Sequence, residues 1–173
     1  AMYQAKNAGR NQACVFDPTM ATLVEERSAL TAALRQGLLA GQFLLHFQPQ
    51  VDALDQPLGA EALLRWQHPE RGLVPPGRFI PLAESSGLII PLGQWVLQQA
   101  CAQLARWRQG AASELRMSVN LSPKDFERSD LVDRVLRQTK EHGIPEGVLE
   151  VEITETLLLK DAESVIEKVR RLR

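Results

Sequence analysis

The sequence has only two cysteines, Cys14 and Cys101, far apart and at no metal-binding or redox spacing. That excludes a disulfide framework and fits two free thiols in a reducing cytosol. No apolar run approaches the roughly 18 residues needed to cross a bilayer. The opening residues, AMYQAKNAGRNQ, are polar and basic and lack the apolar core of a secretory signal. The expected location is cytoplasmic, with any membrane anchor lying elsewhere in a longer protein. Net charge is close to absent, at −1. No global basic field therefore draws DNA, RNA or an anionic membrane surface, and an anionic ligand has to be held by local arginines and metal ions. The three histidines, His46, His68 and His142, show no paired metal spacing. No internal repeat, low-complexity tract or flexible linker occurs. What remains is an ordinary globular composition, 45% hydrophobic and 24% charged over 173 residues, enough for one domain with a real core.

The periodicity changes along the chain. Residues 1–12 fit the end of a helix, with Gly9 as its stop, and Ala13 to Phe16 a short strand before the Asp17-Pro18 turn. From Met20 to Leu39 the apolar positions Leu23, Leu30, Leu34 and Leu38 recur at helical spacing, with Gly37 and Gly41 marking the end. Phe43 to Val51 and Leu58 to Trp66 are extended runs joined by turn residues, hence an antiparallel pair. Pro69 to Gly77 is a loop, Phe79 to Glu84 a helical turn and Leu88 to Arg108 a long amphipathic helix. Strands at 115–121 and 149–153 then alternate with helices at 130–142 and 161–172, which implies βα units and a mostly parallel sheet.

Three extended segments carry polar residues that a buried strand does not need. In Glu61-Ala-Leu-Leu-Arg65 the period of two places Glu61, Leu63 and Arg65 on one face. Glu61 there suits a cation, and Arg65 a phosphate oxygen; the plainer alternative is an ion pair between them. Asn120, at the end of Met117-Ser-Val-Asn120, offers a neutral hard oxygen to magnesium or manganese. The alternative for it and for Ser122 is a turn or helix cap. In Glu150-Val-Glu-Ile-Thr-Glu155, Glu150, Glu152 and Thr154 share a face, and Glu155 follows the strand. Neighbouring carboxylates repel unless a cation or proton lies between them; the alternative is a solvated edge strand, against which Val148, Val151 and Ile153 argue for burial. Glu61, Asn120 and Glu152 thus fall at the C-terminal ends of successive strands, the face on which active sites of parallel barrels assemble. Gln48 and Gln50, alternating with Phe47, suit either a base edge or the satisfaction of a strand end.

These residues resemble the motifs of EAL domains. Glu61-Ala62-Leu63 with Leu64-Arg65-Trp66 matches the signature, flanked by Phe47-Gln48-Pro49, His68-Pro69 and Phe79-Ile80-Pro81. Ser118-Val-Asn120-Leu-Ser122 and Glu152-Ile-Thr-Glu155 are similar to the second and third metal-site motifs, in the family's order. The resemblance covers residue 22 onward. It implies an α/β fold, a TIM-like barrel with an antiparallel first strand, of which residues 18–173 form the N-terminal part. Residues 2–11 resemble the last helix of a GGDEF diguanylate cyclase domain, so that residues 1–17 would be a remnant of that domain and a linker.

The activity implied is hydrolysis of cyclic di-GMP, a bacterial second messenger, to the linear dinucleotide at a site of two Mg2+ or Mn2+ ions. The resemblance makes Glu61, Asn120 and Glu152 metal ligands and places Arg65 at a phosphate and Gln48 near a guanine. It gives Glu155 the steadying of a catalytic loop. The family's aspartate pair, lysine and later glutamate do not occur in the sequence, so the 173-residue chain is expected to be inactive alone and, with an open sheet, to be a homo-oligomer. The competing function is a non-catalytic module that binds cyclic di-GMP or a protein, against which the intact first motif argues.

Overall fold

A computed structural model of the chain describes residues 18–110, 112–153 and 162–172. The helix, strand and stop expected within residues 1–16 lie outside these, as do Cys14, Thr154 and Glu155. The described elements, in chain order, are α1 (Pro18–Leu39), β1 (Phe43–Val51), β2 (Pro57–His68), β3 (Gly72–Val74), α2 (Pro76–Ser86) and α3 (Ile89–Trp107). They continue with β4 (Arg116–Asn120), α4 (Pro123–Phe126), α5 (Leu131–Glu141), β5 (Leu149–Glu152) and α6 (Ala162–Leu172). One sheet runs in the order β1-β2-β4-β5, with β3 paired to the far end of β2. β1 and β3 are antiparallel to β2, while β2–β4 and β4–β5 are parallel.

Alternation along the strands sorts the sheet into two faces. Ala60, Ala62, Trp66, Met117 and Val119 are buried. Below Ala62, Met117 and Val119 lies a core built with Val96, Leu97, Ala100, Cys101 and Leu104 of α3. A second core surrounds Trp66, which stacks on Phe43 at 5.7 Å between ring centroids and meets Phe79 edge-on at 5.8 Å. The Trp66 indole N–H donates to the Gln42 side chain at 3.1 Å, so the buried ring leaves no donor unmatched.

Several expectations change in detail. Helix α1 packs through its second half, where Leu30 and Leu34 are buried, whereas Leu23 is exposed. Gly37 lies inside α1 rather than at its end, because a Cβ there would sit 2.8 Å from the Trp66 indole nitrogen. The stop is Gly41, at a φ of +66°. The loop expected over 69–77 contains β3, whose three residues are too few to show a period. The helical turn at 79–84 is a full helix, begun by Pro76 in the first turn, where its fixed φ is favourable, and ended at Gly87 with a φ of 76°. Ser122 caps the short helix α4, the cap reading for that residue.

Candidate functional site

Opposite the helix-packed face, the sheet presents a polar one. Gln48 of β1 lies directly across from Glu61 of β2, Glu61 is level with Ser118 of β4, and Ser118 with Glu150 of β5. One step on, Asn120 pairs in register with Glu152. Asn120 closes the gap to the first motif: its side-chain N–H donates to Glu61 Oε1 at 2.6 Å. The structure therefore brings Glu61, Asn120, Glu152 and Gln48 together on adjacent strands, and it does so through register, since neighbouring strands lie about 4.8 Å apart.

Arg65 is set apart from this group. It shares the face of Glu61 but lies four residues along the strand, roughly 13 Å at 3.3 Å per residue. It is paired in register with Leu44, and its guanidinium donates to the Leu64 carbonyl at 2.9 Å. Among the described residues Glu61 and Arg65 form no ion pair, so the simplest alternative for that motif is not what the fold builds. Nor does Glu61 end its strand. It is the fifth of twelve residues in β2, because β2 continues past β4 to pair with β1 and β3.

The outer carboxylate, Glu150, is answered by Arg116 at 3.3 Å across β4–β5, on an exposed edge. The arginine offsets part of the repulsion expected between carboxylates along β5. Behind the strand, Val148, Leu149, Val151 and Ile153 pack on the α3 core. Among the described residues the strand is thus both an edge and half-buried, with its two faces divided as alternation requires.

Gln50 resolves toward structure. Its side-chain N–H donates to Ser118 Oγ at 3.3 Å, spanning β2. Gln50 is paired in register with Gly59, which is level with Arg116, and a Cβ on Gly59 would come within 2.7 Å of the Arg116 carbonyl oxygen. A side chain on Gly59 would disturb the close approach of β2 to β4.

Asp125 is the residue the motif reading passes over, although Ser122-Pro-Lys-Asp125 has the spacing of a capping box. Its carboxylate accepts the Ser122 backbone N–H at 3.3 Å and the Ser122 hydroxyl at 3.1 Å. It faces Arg134 Nη2 at 3.4 Å, with both side chains buried. Burial pushes the Asp125 carboxyl above the ordinary range, against the opposing pull of Ser122 and Arg134.

As donors, Glu61, Asn120 and Glu152 offer two carboxylates and an amide oxygen, a hard set that fits Mg2+ or Mn2+ better than zinc. The amide nitrogen rather than its oxygen faces Glu61, so joint ligation by both requires the Asn120 amide to turn over. Among the described residues no cluster of three or more His, Cys, Asp or Glu side chains capable of holding a metal occurs. Glu155 lies outside the described residues.

An α/β sheet opened by an antiparallel strand, with acidic and amide groups aligned across its polar face, defines the class of fold, a partial α/β barrel. The chain belongs to the EAL domain family, whose family model matches residues 31–173. It is 42% identical over 173 residues to the bifunctional diguanylate cyclase/cyclic di-GMP phosphodiesterase MucR of Pseudomonas aeruginosa, covering 99% of this chain and 25% of that protein. It is 39% identical over 175 residues to the cyclic di-GMP phosphodiesterase PdeR of Escherichia coli, covering 99% of this chain and 26% of that protein. A solved structure titled as the PaMucR phosphodiesterase in complex with c-di-GMP superposes with a TM-score of 0.81 at 41% identity, covering 83% of this chain and 59% of that one. The chain thus spans about a quarter of the length of these curated relatives. No helix among the described residues is long and apolar enough to cross a membrane.

Proposed function

We propose that this chain forms the N-terminal part, residues 18–173, of a domain that hydrolyses one phosphodiester bond of cyclic di-GMP to give the linear dinucleotide. The observation that carries the reading is the contact of Glu61 with Asn120, with Glu152 beside Asn120 in register, on the polar face of the sheet. Relatives named as cyclic di-GMP phosphodiesterases support it. Glu61, Asn120 and Glu152 hold Mg2+ or Mn2+, and the family pattern implies two such ions in a whole domain. When bound, the ion supplies Lewis acidity toward a phosphoryl oxygen and a water. Gln48, across from Glu61, lies at the guanine, and Arg65, farther along β2, takes a phosphate oxygen through its paired donors. Glu155 steadies a loop beside the reacting groups.

The test is turnover of cyclic di-GMP, with Mg2+ or Mn2+, by a protein that carries this sequence within an EAL domain of its relatives' full length. Glu61→Ala is expected to lower turnover by more than about 100-fold, beyond what loss of an outer-shell partner costs, with the fold retained. Near-normal turnover by Glu61→Ala would contradict the ligand role. Arg65→Ala is expected to raise KM with kcat less affected, and unchanged kinetics would make Arg65 structural only. Binding of cyclic di-GMP without turnover by the unsubstituted domain would instead favour the receptor function.

A further inference from the structure

We propose that Asp125 is a positioning residue for Asn120, acting through the turn that leaves β4, and that it is the anchor of a buried charge network beneath the site. The inference rests on the reading of Asn120 as a site residue. Its physical basis is independent of that reading.

The strand that carries Asn120 ends immediately after it. Leu121 makes the last rung, its N–H donating to the Glu152 carbonyl at 3.2 Å. The next N–H, that of Ser122, goes to the Asp125 carboxylate at 3.3 Å, with the Ser122 hydroxyl on the same oxygen at 3.1 Å. The two residues following Asn120 are therefore each held, one by β5 and one by Asp125. The backbone that aims the Asn120 amide has little freedom left.

Asp125 is itself fixed with unusual firmness for a carboxylate only 1% exposed. Arg134 of α5 meets its other oxygen at 3.4 Å. Arg134 is also buried, at 6%, and its Nε and Nη1 have no hydrogen-bond partner. Its Nε lies 3.8 Å from Asp130, which is in turn held by Arg128 at 2.8 Å. On the remaining side Asp125 rests on α3 at Gly93. A Cβ at that position would come within 2.9 Å and 3.0 Å of the two carboxylate oxygens. Helix α4 is tied down at both ends, by Lys124 donating to the Glu84 carbonyl and Lys168 donating to the Phe126 carbonyl. A buried ion pair is weak evidence for stability, because desolvation offsets much of the attraction, and fixing one arrangement is its better-attested use.

Gly93 allows the carboxylate to be displaced without altering any charge. In Gly93→Ala the new methyl group must push Asp125 aside, while alanine itself favours the helix over glycine. The experiment compares the unsubstituted 173-residue chain with Gly93→Ala, Asp125→Asn and a core control, Leu104→Ala. Three quantities are read: the side-chain NH2 signal of Asn120 in 15N–1H NMR, assigned by its loss in Asn120→Ser; the midpoint of thermal unfolding; and the affinity for Mn2+ alone. Gly93→Ala and Asp125→Asn are expected to move the Asn120 signal and weaken Mn2+ binding by about three- to tenfold. Leu104→Ala should lower the unfolding midpoint and leave the signal in place. If the Asn120 signal stays unmoved in both site variants, or moves equally in Leu104→Ala, the proposal is overturned. Should Asp125→Asn fail to fold, Gly93→Ala decides alone. If the unsubstituted chain binds no Mn2+, the ligand reading of this half-site fails, and the NMR comparison still decides the role of Asp125.

Discussion

A thiol in the centre of the α3 core shows how completely one residue can be removed from chemistry. Cys101 is free and 0% exposed, and burial pushes its thiol up to about 11. Thiolate is the reactive form, so Cys101 is expected to resist alkylation at pH 8 in the native protein and to react only on unfolding. Peptide mapping after iodoacetamide treatment checks this, and rapid native labelling at Cys101 would contradict it. Because the folded value lies above the ordinary thiol value of 9.0, any stability linked to this group is complete below about pH 9 and is lost as pH rises through about 11. At the same scale, Gly59→Ala is expected to destabilise the protein by about 1–3 kcal/mol, the usual cost of forced overpacking. The reason is the backbone contact of 2.7 Å that a Cβ would make with Arg116. Unfolding in urea measures the change, and a neutral result would show that β2 and β4 separate at little cost.

Among the elements, the β1–β2 hairpin is the one whose sequence and geometry agree most closely. Its connection turns on Asp52, whose Oδ1 accepts the N–H groups of Leu54 at 2.8 Å and Gln56 at 2.9 Å. Asp55 takes a φ of 58°, a left-handed conformation that aspartate tolerates better than most residues. Asp52→Ala removes the single oxygen that accepts both bonds and is expected to cost about 1 kcal/mol, the typical net value of a hydrogen bond. A thermal midpoint equal to that of the unsubstituted protein would show that water replaces the carboxylate without penalty. The hairpin fixes the register that sets Gln48 opposite Glu61, so loosening its turn acts on the site at a distance.

At the scale of the whole molecule, β5 is the last strand of the sheet among the described residues. Beside it runs a groove of about 590 Å3, lined in part by Leu149, Val151, Ile153, Phe126, Val169 and Leu172. An unpaired strand edge next to apolar surface is a template for another chain. The 173-residue chain is therefore expected to associate with a second copy, pairing or exchanging elements at β5. Light scattering combined with intact mass spectrometry checks this, and a stable monodisperse monomer would show that the edge is tolerated in water.

What the sequence determined by itself was local and periodic. The extended runs at 43–51 and 58–66, the turn residues between them and the amphipathic spacing of 88–108 specify elements, because those patterns reflect contacts made by near neighbours. The ordered motifs around Glu61, Asn120 and Glu152 were legible for the same reason, as short stretches with a polar residue where burial is otherwise the rule. The tertiary structure alone decided the rest. That Asn120 reaches Glu61 while Arg65 stands apart depends on the register of three strands, which no single segment encodes. That Gly37 serves Trp66 and Gly93 serves Asp125 depends on close approaches between elements distant in sequence. That Leu23 is exposed while Leu30 and Leu34 are buried depends on which part of α1 has a partner to cover it. Periodicity states which face of an element seeks burial, and only packing determines what that face meets.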